Sequence, residues 1–274
     1  MPAINTNTAA NAAVRYLNIN SAQESSSLSK LSSGSRITSA SDDAAGLAIS
    51  TRISSDVTTL QQAATNASQA NAILQTADGG ASNISDILAR MKSLASESAS
   101  GTTTDSSRAY IQSEFSQLND EIDSIATGTR YSSQSLLDGT SVFSSGVSVL
   151  VGSDGSDTIT ITLTSLTASS LAVTSLDVST QSGATSALDA LDTAIDTVSS
   201  ARASIGAQES RFNFSSDSIS TQTQNLQSAN SAIKDVDIAA EQSKLSSAEV
   251  KTQAAVSALA AANQMPQYLL KLLG

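Results

Sequence analysis

The 274-residue chain contains no cysteine, histidine or tryptophan, and only two prolines. Without cysteine there is no disulfide and no thiolate metal site. Without histidine the commonest general base and the commonest zinc ligand are both missing, and a histidine-assisted nucleophile cannot be built. Aromatic residues make up 3% of the chain, against 39% hydrophobic residues overall, so the apolar content is mostly Ala, Leu, Ile and Val. Large rings bury roughly 150–250 Å² each and dominate thick cores. Their scarcity suits thin helical bundles in which small residues let backbones approach. The formal net charge of −11 argues against a broad phosphate-binding face, and nucleic acid is not expected as a partner. No apolar run approaches the ~20 residues of a membrane span, so no membrane partner is expected. The stretch MPAINTNTAANAAVRY lacks the basic start and apolar centre of a cleaved secretory leader. Export, if it occurs, is expected to take another route.

What is present is a seven-residue repeat. Leu191, Val198, Ile205, Phe212, Ile219, Leu226 and Ile233 recur without a miss. Leu188 and Ile195 begin a companion row that turns polar at Arg202, Glu209, Ser216, Thr223 and Asn230. A second row runs Ile53, Leu60, Ala67, Leu74, Ala81, Leu88 and Ala95, with Ala70, Ala77, Ile84 and Met91 beside it. Sustained heptads predict coiled-coil-like packing of long helices, and the small positions allow close approach. The rows fit an intramolecular core or an intermolecular seam. Ile111, Phe115, Leu118, Ile122 and Ile125 follow the 4-3-4-3 spacing of one further helix face, separated from the second row by the turn SASGTTTDSS.

Between about 136 and 180 the period changes to two. Ile159, Ile161 and Leu163 alternate with threonines, as in a half-buried strand. The run VSVLV precedes them, and the Asp154–Gly155 step favours a tight turn, which predicts a β-hairpin. SLAVTSLDVS is read as an additional strand. The two ends of the chain are rich in Ala, Ser, Asn and Gln with scattered apolar spots. Alanine-rich helices are marginal alone in water, so the terminal segments are expected to order fully only when copies associate.

No motif here carries catalysis. Asp42 and Asp43 are adjacent carboxylates, but neighbours on a starting helix point apart and do not converge on a substrate. Ser41 or Asp42 is read as the cap of the following helix, the carboxylates favouring its positive end, and Gly34 as the end of the preceding one. A Ser–Lys nucleophile is not excluded by counting, yet no local arrangement suggests one. Gly79–Gly80 resembles no phosphate loop and is read as a close contact or a bend. SDGSD lacks the ligand spacing of a calcium loop and is read as the hairpin turn. No catalytic residue, cofactor or metal is expected.

Several long stretches name a family. INTNT, LSKLSSGSRITSASDDAAGLAIS, ILQTADGGASNISDILARMKSLASESASG and LNDEIDSIATGTRYSSQSLLDG at one end, with LDTAIDTVSSARASIGAQESRF and DVDIAAEQSKLSSAEVKTQAAVSALAAANQMPQYLLKLLG at the other, resemble bacterial flagellin. The resemblance covers about two thirds of the chain, in both halves, and leaves the strand-rich middle without a signature.

The resemblance implies a mainly α fold: a long antiparallel helical bundle or coiled-coil rod with a small β-hairpin region, the terminal helices pairing as an inner-tube domain. It divides the chain into an inner-tube helix and joint at 1–43, rod helices at 44–135, a strand-rich region at 136–180, a rod helix at 181–233 and an inner-tube helix at 234–274. Ile53, Leu60, Leu74, Leu88, Leu191, Val198, Ile205, Phe212, Ile219, Leu226 and Ile233 would form the rod seam. Val14, Leu17, Leu28, Leu31, Val250, Val256, Leu259 and Leu269 would make inner-tube contacts. Gly34, Ser41, Asp42 and Asp43 would form the joint. The implied function is a subunit of the extracellular flagellar filament used for motility, with the hook–filament junction protein as the related alternative. Implied partners are other copies of the chain, the flagellar export apparatus, a chaperone on the C-terminal segment, and cap and junction proteins. In some members a Toll-like receptor reads the rod. The matching positions here are Arg90, Leu94 and Glu114, in a stretch with Ser93 where an acidic residue is usual.

Overall fold

The computed structural model describes residues 6–273, with side-chain burial given through Met265 and at Gln267. The elements run α1 (Thr8–Ser33), α2 (Ala44–Ala99), α3 (Asp105–Gly128), β1 (Arg130–Tyr131), β2 (Gln134–Ser135), α4 (Val142–Ser145), β3 (Val147–Leu150), β4 (Thr158–Ile161), α5 (Gln181–Lys234) and α6 (Ile238–Leu273). They group into two units, residues 1–55 with 225–274, and residues 56–224. The helices α2 and α5 contribute to both.

In the second unit the heptads of α2, α3 and α5 supply the core. Leu60, Ala67, Leu74, Ala81, Leu88 and Ala95 are all buried, as are Ala70, Ala77, Ile84 and Met91 beside them. From α5 come Leu191, Val198, Ile205, Phe212 and Ile219, and from α3 Ile111, Phe115 and Ile122. The companion row on α5 lies one residue before the row that sequence suggested. Ala187, Ala194, Ala201 and Gln208 are buried, whereas Leu188 and Ile195 are half-buried. The first three members of the buried row are alanines. Being alanine, it gave no hydrophobic contrast to read. The outer row carries the charge instead: Arg202 pairs with Asp78 across helices, Nε to Oδ1 at 2.8 Å.

Gly80 lies where α2 meets the chain after α3. A Cβ built on it would stand 2.4 Å from Thr129 Oγ1 and 2.9 Å from Leu137 Cδ1, while Gly79 has nothing within 4 Å. A turn of α2 therefore approaches β1 and its flank more closely than alanine would permit.

The strand-rich region begins earlier than expected, at Arg130 rather than 136, with a two-residue hairpin. Arg130 pairs with Ser135 and Tyr131 with Gln134. Ser132 and Ser133 form its turn with φ of 48° and 69°, the left-handed pair required by a tight hairpin and ordinarily supplied by Asn or Gly. The second hairpin is where the alternation placed it, Val147 opposite Ile161 through Leu150 opposite Thr158. The Asp154–Gly155 step does turn tightly, but inside a longer connection. Residues 151–157 form a longer loop closed by Val151 N–H to Asp157 O at 2.8 Å and Asp157 N–H to Asp154 O at 3.1 Å.

The additional strand expected in SLAVTSLDVS is absent, and residues 162–180 form no ladder. Side chains from the helices satisfy backbone groups that a strand partner would have taken. The Gln208 amide accepts from Thr162 N–H at 2.9 Å and donates to Thr162 O at 3.0 Å. Asp123 accepts from Ala168 N–H and Gln112 from Val178 N–H. Leu163, Leu166, Leu171, Val173 and Val178 are thereby anchored in the core.

Candidate assembly interface on the terminal helices

The first unit is built on the pairing of α1 with α6. Helix α1 starts at Asn7, whose Oδ1 accepts from Ala10 N–H at 3.0 Å while its amide donates to Ala262 O at 2.8 Å. It ends at Gly34, where φ is +68°. Helix α6 starts after Asp237, which accepts from Ala240 N–H at 3.0 Å. Contacts from Asn7 to Ala262 and from Ser27 to Glu241 show that the two helices run antiparallel.

Between these ends the less exposed positions repeat at 3-4 spacing. On α1 they are Ala10, Ala13, Leu17, Asn20, Glu24, Ser27 and Leu31; on α6, Glu241, Leu245, Ala248, Thr252, Ala255, Leu259 and Ala262. This seam is thin, because most of its members are alanine or polar. Ser27 and Glu241 are both buried, and Ser27 Oγ donates to Glu241 Oε1 at 2.8 Å. Lys244 Nζ donates to Glu241 Oε2 at 2.9 Å. The Lys244 bond, then the Ser27 bond, hold the Glu241 carboxyl below its ordinary pKa. Sequence reading missed this pair, although extending the α6 heptad back from Leu245 reaches it.

The expected inner-tube residues divide into two groups. Leu17, Leu31 and Leu259 lie on the intramolecular seam, partly exposed. Val14, Leu28, Val250 and Val256 do not, at 40%, 59%, 70% and 50% exposure. Leu269 falls where side chains lie outside the described residues. Ile19 and Tyr16 are also exposed on α1. At 100° per residue, Val14 and Leu28 share a face, Ile19 stands about 140° away, and Val250 and Val256 face different sides of α6. Helices apolar on several sides are those enclosed by neighbours.

Where α1 gives way to α2 and α5 to α6, the two breaks are tied together. Ser35 forms an antiparallel bridge with Asp235. Arg36 N–H donates to Lys234 O at 2.6 Å and Val236 N–H to Gly34 O at 3.1 Å. The Arg36 guanidinium donates to Ile233 O at 2.8 and 3.2 Å. Neither Ser41 nor Asp42, the residues read as the cap of α2, caps it; Asp43 does, its Oδ1 accepting from Gly46 N–H at 2.8 Å. Ser41 instead shares a hydroxyl hydrogen bond with Ser39. Asp42 closes the loop backward, one oxygen accepting from Thr38 N–H, Thr38 Oγ1 and Ser39 N–H at 2.9–3.0 Å. The Thr38 amide, then the Thr38 hydroxyl and Ser39 amide, hold its pKa down to about 2. The cap falls on Asp43 because α2 begins one residue later, at Ala44.

In this unit the seam row is only half-buried at Ile53, Leu226 and Ile233. In the other unit, Arg90 and Glu114 are exposed and paired, at 2.9 and 2.6 Å. Leu94, expected beside them on a receptor surface, is 2% exposed. It belongs to the core because it completes the inward face of α2 next to Met91 and Ala95.

Long helices joined along heptad seams, with a small hairpin region and a terminal helix pair, define a structural coiled-coil protein. Residues 4–142 match the family described as bacterial flagellin N-terminal helical region, and residues 188–273 the bacterial flagellin C-terminal helical region. The chain belongs to the bacterial flagellin family. It is 37% identical to a flagellin of Halalkalibacterium halodurans over 98% of this chain and 99% of that one. It is 34% identical to a flagellar filament 30.7 kDa core protein of Treponema maltophilum, with the same coverage of each. Among solved structures, a Bacillus cereus flagellin superposes with a TM-score of 0.52 at 29% identity, over 61% of this chain and 94% of that one. A putative flagellar hook-associated protein of Vibrio parahaemolyticus superposes with a TM-score of 0.59 over 71% and 100%; at 16% identity it shows the fold alone.

Proposed function

We propose that the chain is a structural subunit of the bacterial flagellar filament, built by self-assembly of many copies for motility. The observation that carries this is the α1–α6 pair: its own seam is filled by small and polar residues, while Val14, Leu28, Val250 and Val256 stand in solvent. Copies packed around that pair would cover them, in the open head-to-tail geometry of a filament. Relatives named as filament proteins across nearly their whole length favour this over a junction protein.

The test separates the two groups of aliphatic residues. Leu28→Ser with Val250→Ser should leave the monomer's helical signal within a few per cent of the parent and abolish elongation from filament seeds. Leu17→Ser with Leu259→Ser should reduce the helical signal of the monomer itself. Normal elongation by the first variant refutes the assignment.

The finer parts of the reading follow from family membership. The filament lies outside the cell, and the subunit would reach it through the flagellar export apparatus. Among the described residues no helix is long and apolar enough to cross a membrane. A chaperone covering 239–274 would shield the exposed Val250 and Val256, and cap and junction proteins would meet the filament ends. A Toll-like receptor would find Arg90 and Glu114 on the surface, but not Leu94. A receptor-reporter assay with monomer, with silence at saturating dose as the negative, checks that point.

A further inference from the structure

Aspartate is followed by glycine at Asp78–Gly79, Asp138–Gly139 and Asp154–Gly155. Such a pair is reactive because the glycine amide nitrogen, with no Cβ beside it, can reach the preceding carboxyl carbon and close a five-membered ring. Closure needs two things that a fold can withhold: a backbone free to rotate toward the carboxyl, and a carboxyl not held elsewhere. Two of the three steps lack them. Gly79 lies inside α2, so its N–H is tied into the helical ladder. Arg202 holds both oxygens of Asp78, Nε to Oδ1 at 2.8 Å and Nη2 to Oδ2 at 3.2 Å. Asp138 is held by the residue beyond its glycine, Oδ1 accepting from Thr140 N–H at 2.9 Å and Oδ2 from Thr140 Oγ1 at 2.8 Å. The Thr140 amide above all lowers the pKa of Asp138, which keeps it as the less electrophilic carboxylate.

Asp154 escapes both restraints. Residues 153–158 are all exposed, and among the described residues the Asp154 carboxylate takes no hydrogen bond or ion pair. Its carbonyl closes a turn with Asp157 N–H at 3.1 Å, in which Gly155 N–H takes no part. A Cβ built on Gly155 would meet nothing within 4 Å. The base of the loop is fixed by contrast. Val151 N–H donates to Asp157 O at 2.8 Å, the Asp157 carboxylate packs on Gly152 with no room for a Cβ between them, and it accepts from Asp154 N–H at 3.4 Å.

We propose that Asp154 is a site of spontaneous covalent modification, isomerising through a cyclic imide to an isoaspartyl link at the tip of the β3–β4 connection. Gly155 N forms a bond to Asp154 Cγ, and one water departs, made of the carboxyl hydroxyl and the amide hydrogen. Water then adds to one of the two imide carbonyls. Opening the new Cγ–N bond restores aspartate. Opening the original C–N bond leaves the chain running through Cβ and Cγ, with the carboxylate on Cα. No oxidant, enzyme or cofactor enters. The product has one extra backbone atom, which the free tip absorbs while the register from Val147 opposite Ile161 to Leu150 opposite Thr158 is kept. The mark therefore accumulates with the age of the chain without unfolding it, whether or not copies assemble.

The experiment holds the full chain for weeks at neutral pH in heavy-oxygen water, folded in one sample and unfolded by concentrated urea in another. Digested peptides are then sequenced by electron-transfer fragmentation, which separates aspartyl from isoaspartyl links, and each imide opening inserts one heavy oxygen. The folded chain should gain isoaspartate and heavy oxygen at residue 154, with residues 78 and 138 at their starting level; in urea all three should convert. Asp154→Glu, whose ring would need a sixth atom, and Gly155→Val, whose branched side chain shields the nitrogen, should each lose the mark at 154 while keeping the parent's helical signal. Amides of β3 and β4 should stay as protected from exchange in aged protein as in fresh. Conversion at 78 or 138 in the folded chain as fast as at 154, or none at 154 in the folded chain, overturns the assignment. Loss of β3–β4 protection as the mark accumulates overturns the claim that the tip alone absorbs it.

Discussion

Replacing Arg108 tests how the end of the helical bundle is closed. Its side chain is 9% exposed, and it spends three donors on one turn. Nε donates to Ser98 O at 2.9 Å, Nη2 to Ser100 O at 3.0 Å and Nη1 to Asp105 Oδ1 at 2.9 Å. The first acceptor is a carbonyl in the last turn of α2, where no helical N–H remains to serve it; the second, just past the helix, also accepts from Thr103 N–H at 3.2 Å. Hydrogen bonds to a charged group contribute about 1.5–3 kcal/mol each. Asp105 is 97% exposed, and an ion pair with so solvated a partner adds ~0–1 kcal/mol. Water can reach the half-exposed Ser100, which offsets part of the loss there, so Arg108→Ala should cost about 2–4 kcal/mol, nearly all of it from the two carbonyls. Because the chain has two units, a single unfolding midpoint would blur the effect, and amide exchange of the 98–112 peptide reads it locally. Protection there should fall by roughly 30–1,000-fold, at tenfold per 1.4 kcal/mol, whereas Asp105→Ala should lower it by less than about fivefold. A change under about threefold for Arg108→Ala, or equal effects of the two substitutions, refutes the assignment of the stability to the carbonyls.

Three further outcomes follow from the geometry. Gly79→Ala, in open space, should raise thermal stability by about 0.5–1 kcal/mol through helix propensity, while Gly80→Ala should lower it by about 1 kcal/mol net, because overpacking against Thr129 and Leu137 outweighs the same gain; melts of the pair would show opposite signs. Phe212→Ala, which empties a fully buried position, should cost about 3–5 kcal/mol, read as a lowered urea midpoint for the peptides of 56–224. Asp42 has a folded pKa lowered from 3.8 to about 2, so its contribution to the 34–43 loop is fully present above about pH 4 and is lost as pH falls toward 2. Protease sensitivity of that loop should rise over this interval in the parent, and Asp42→Ala should show raised sensitivity already at neutral pH, with no further rise attributable to that carboxyl.

Periodicity made the helices legible because large aliphatic residues every seven positions leave one reading. It failed for the second buried row of α5, where Ala187, Ala194 and Ala201 look like any helix-favouring filler. The β3–β4 hairpin was legible from the alternation around Ile159 and Ile161. The false strand after it was not avoidable by pattern alone: Leu171, Val173 and Val178 are buried as strand residues would be. Val178 N–H donates to the Gln112 amide of α3, while Leu171 and Val173 N–H donate to Thr167 O and Ala168 O in a local turn, and no local rule announces a side-chain amide taking a strand's place. The first hairpin escaped because its turn is Ser132–Ser133, without the Asn or Gly that marks left-handed backbone.

The terminal helices show why a surface for assembly is harder to read than a core. Apolar residues in a sequence are taken as buried, and Leu17 and Val14 look alike on that basis. Only the pairing of α1 with α6 separates them, by assigning the seam to positions where alanine, serine and glutamate also sit. Covering a half-exposed Val or Leu adds about 1 kcal/mol, taking half of the roughly 1.5–3 kcal/mol of full burial. Four such residues therefore offer about 3–6 kcal/mol per copy before the cost of association. That is too little to hold two molecules firmly and enough to matter when each copy touches several others. A thin seam within the chain and larger aliphatic residues outside it thus favour an assembly of many copies over an isolated dimer. Concentrated monomer without seeds should accordingly sediment as monomer and then as long polymer, with dimers and trimers scarce between. A stable dimer peak in analytical ultracentrifugation would contradict that division of apolar surface.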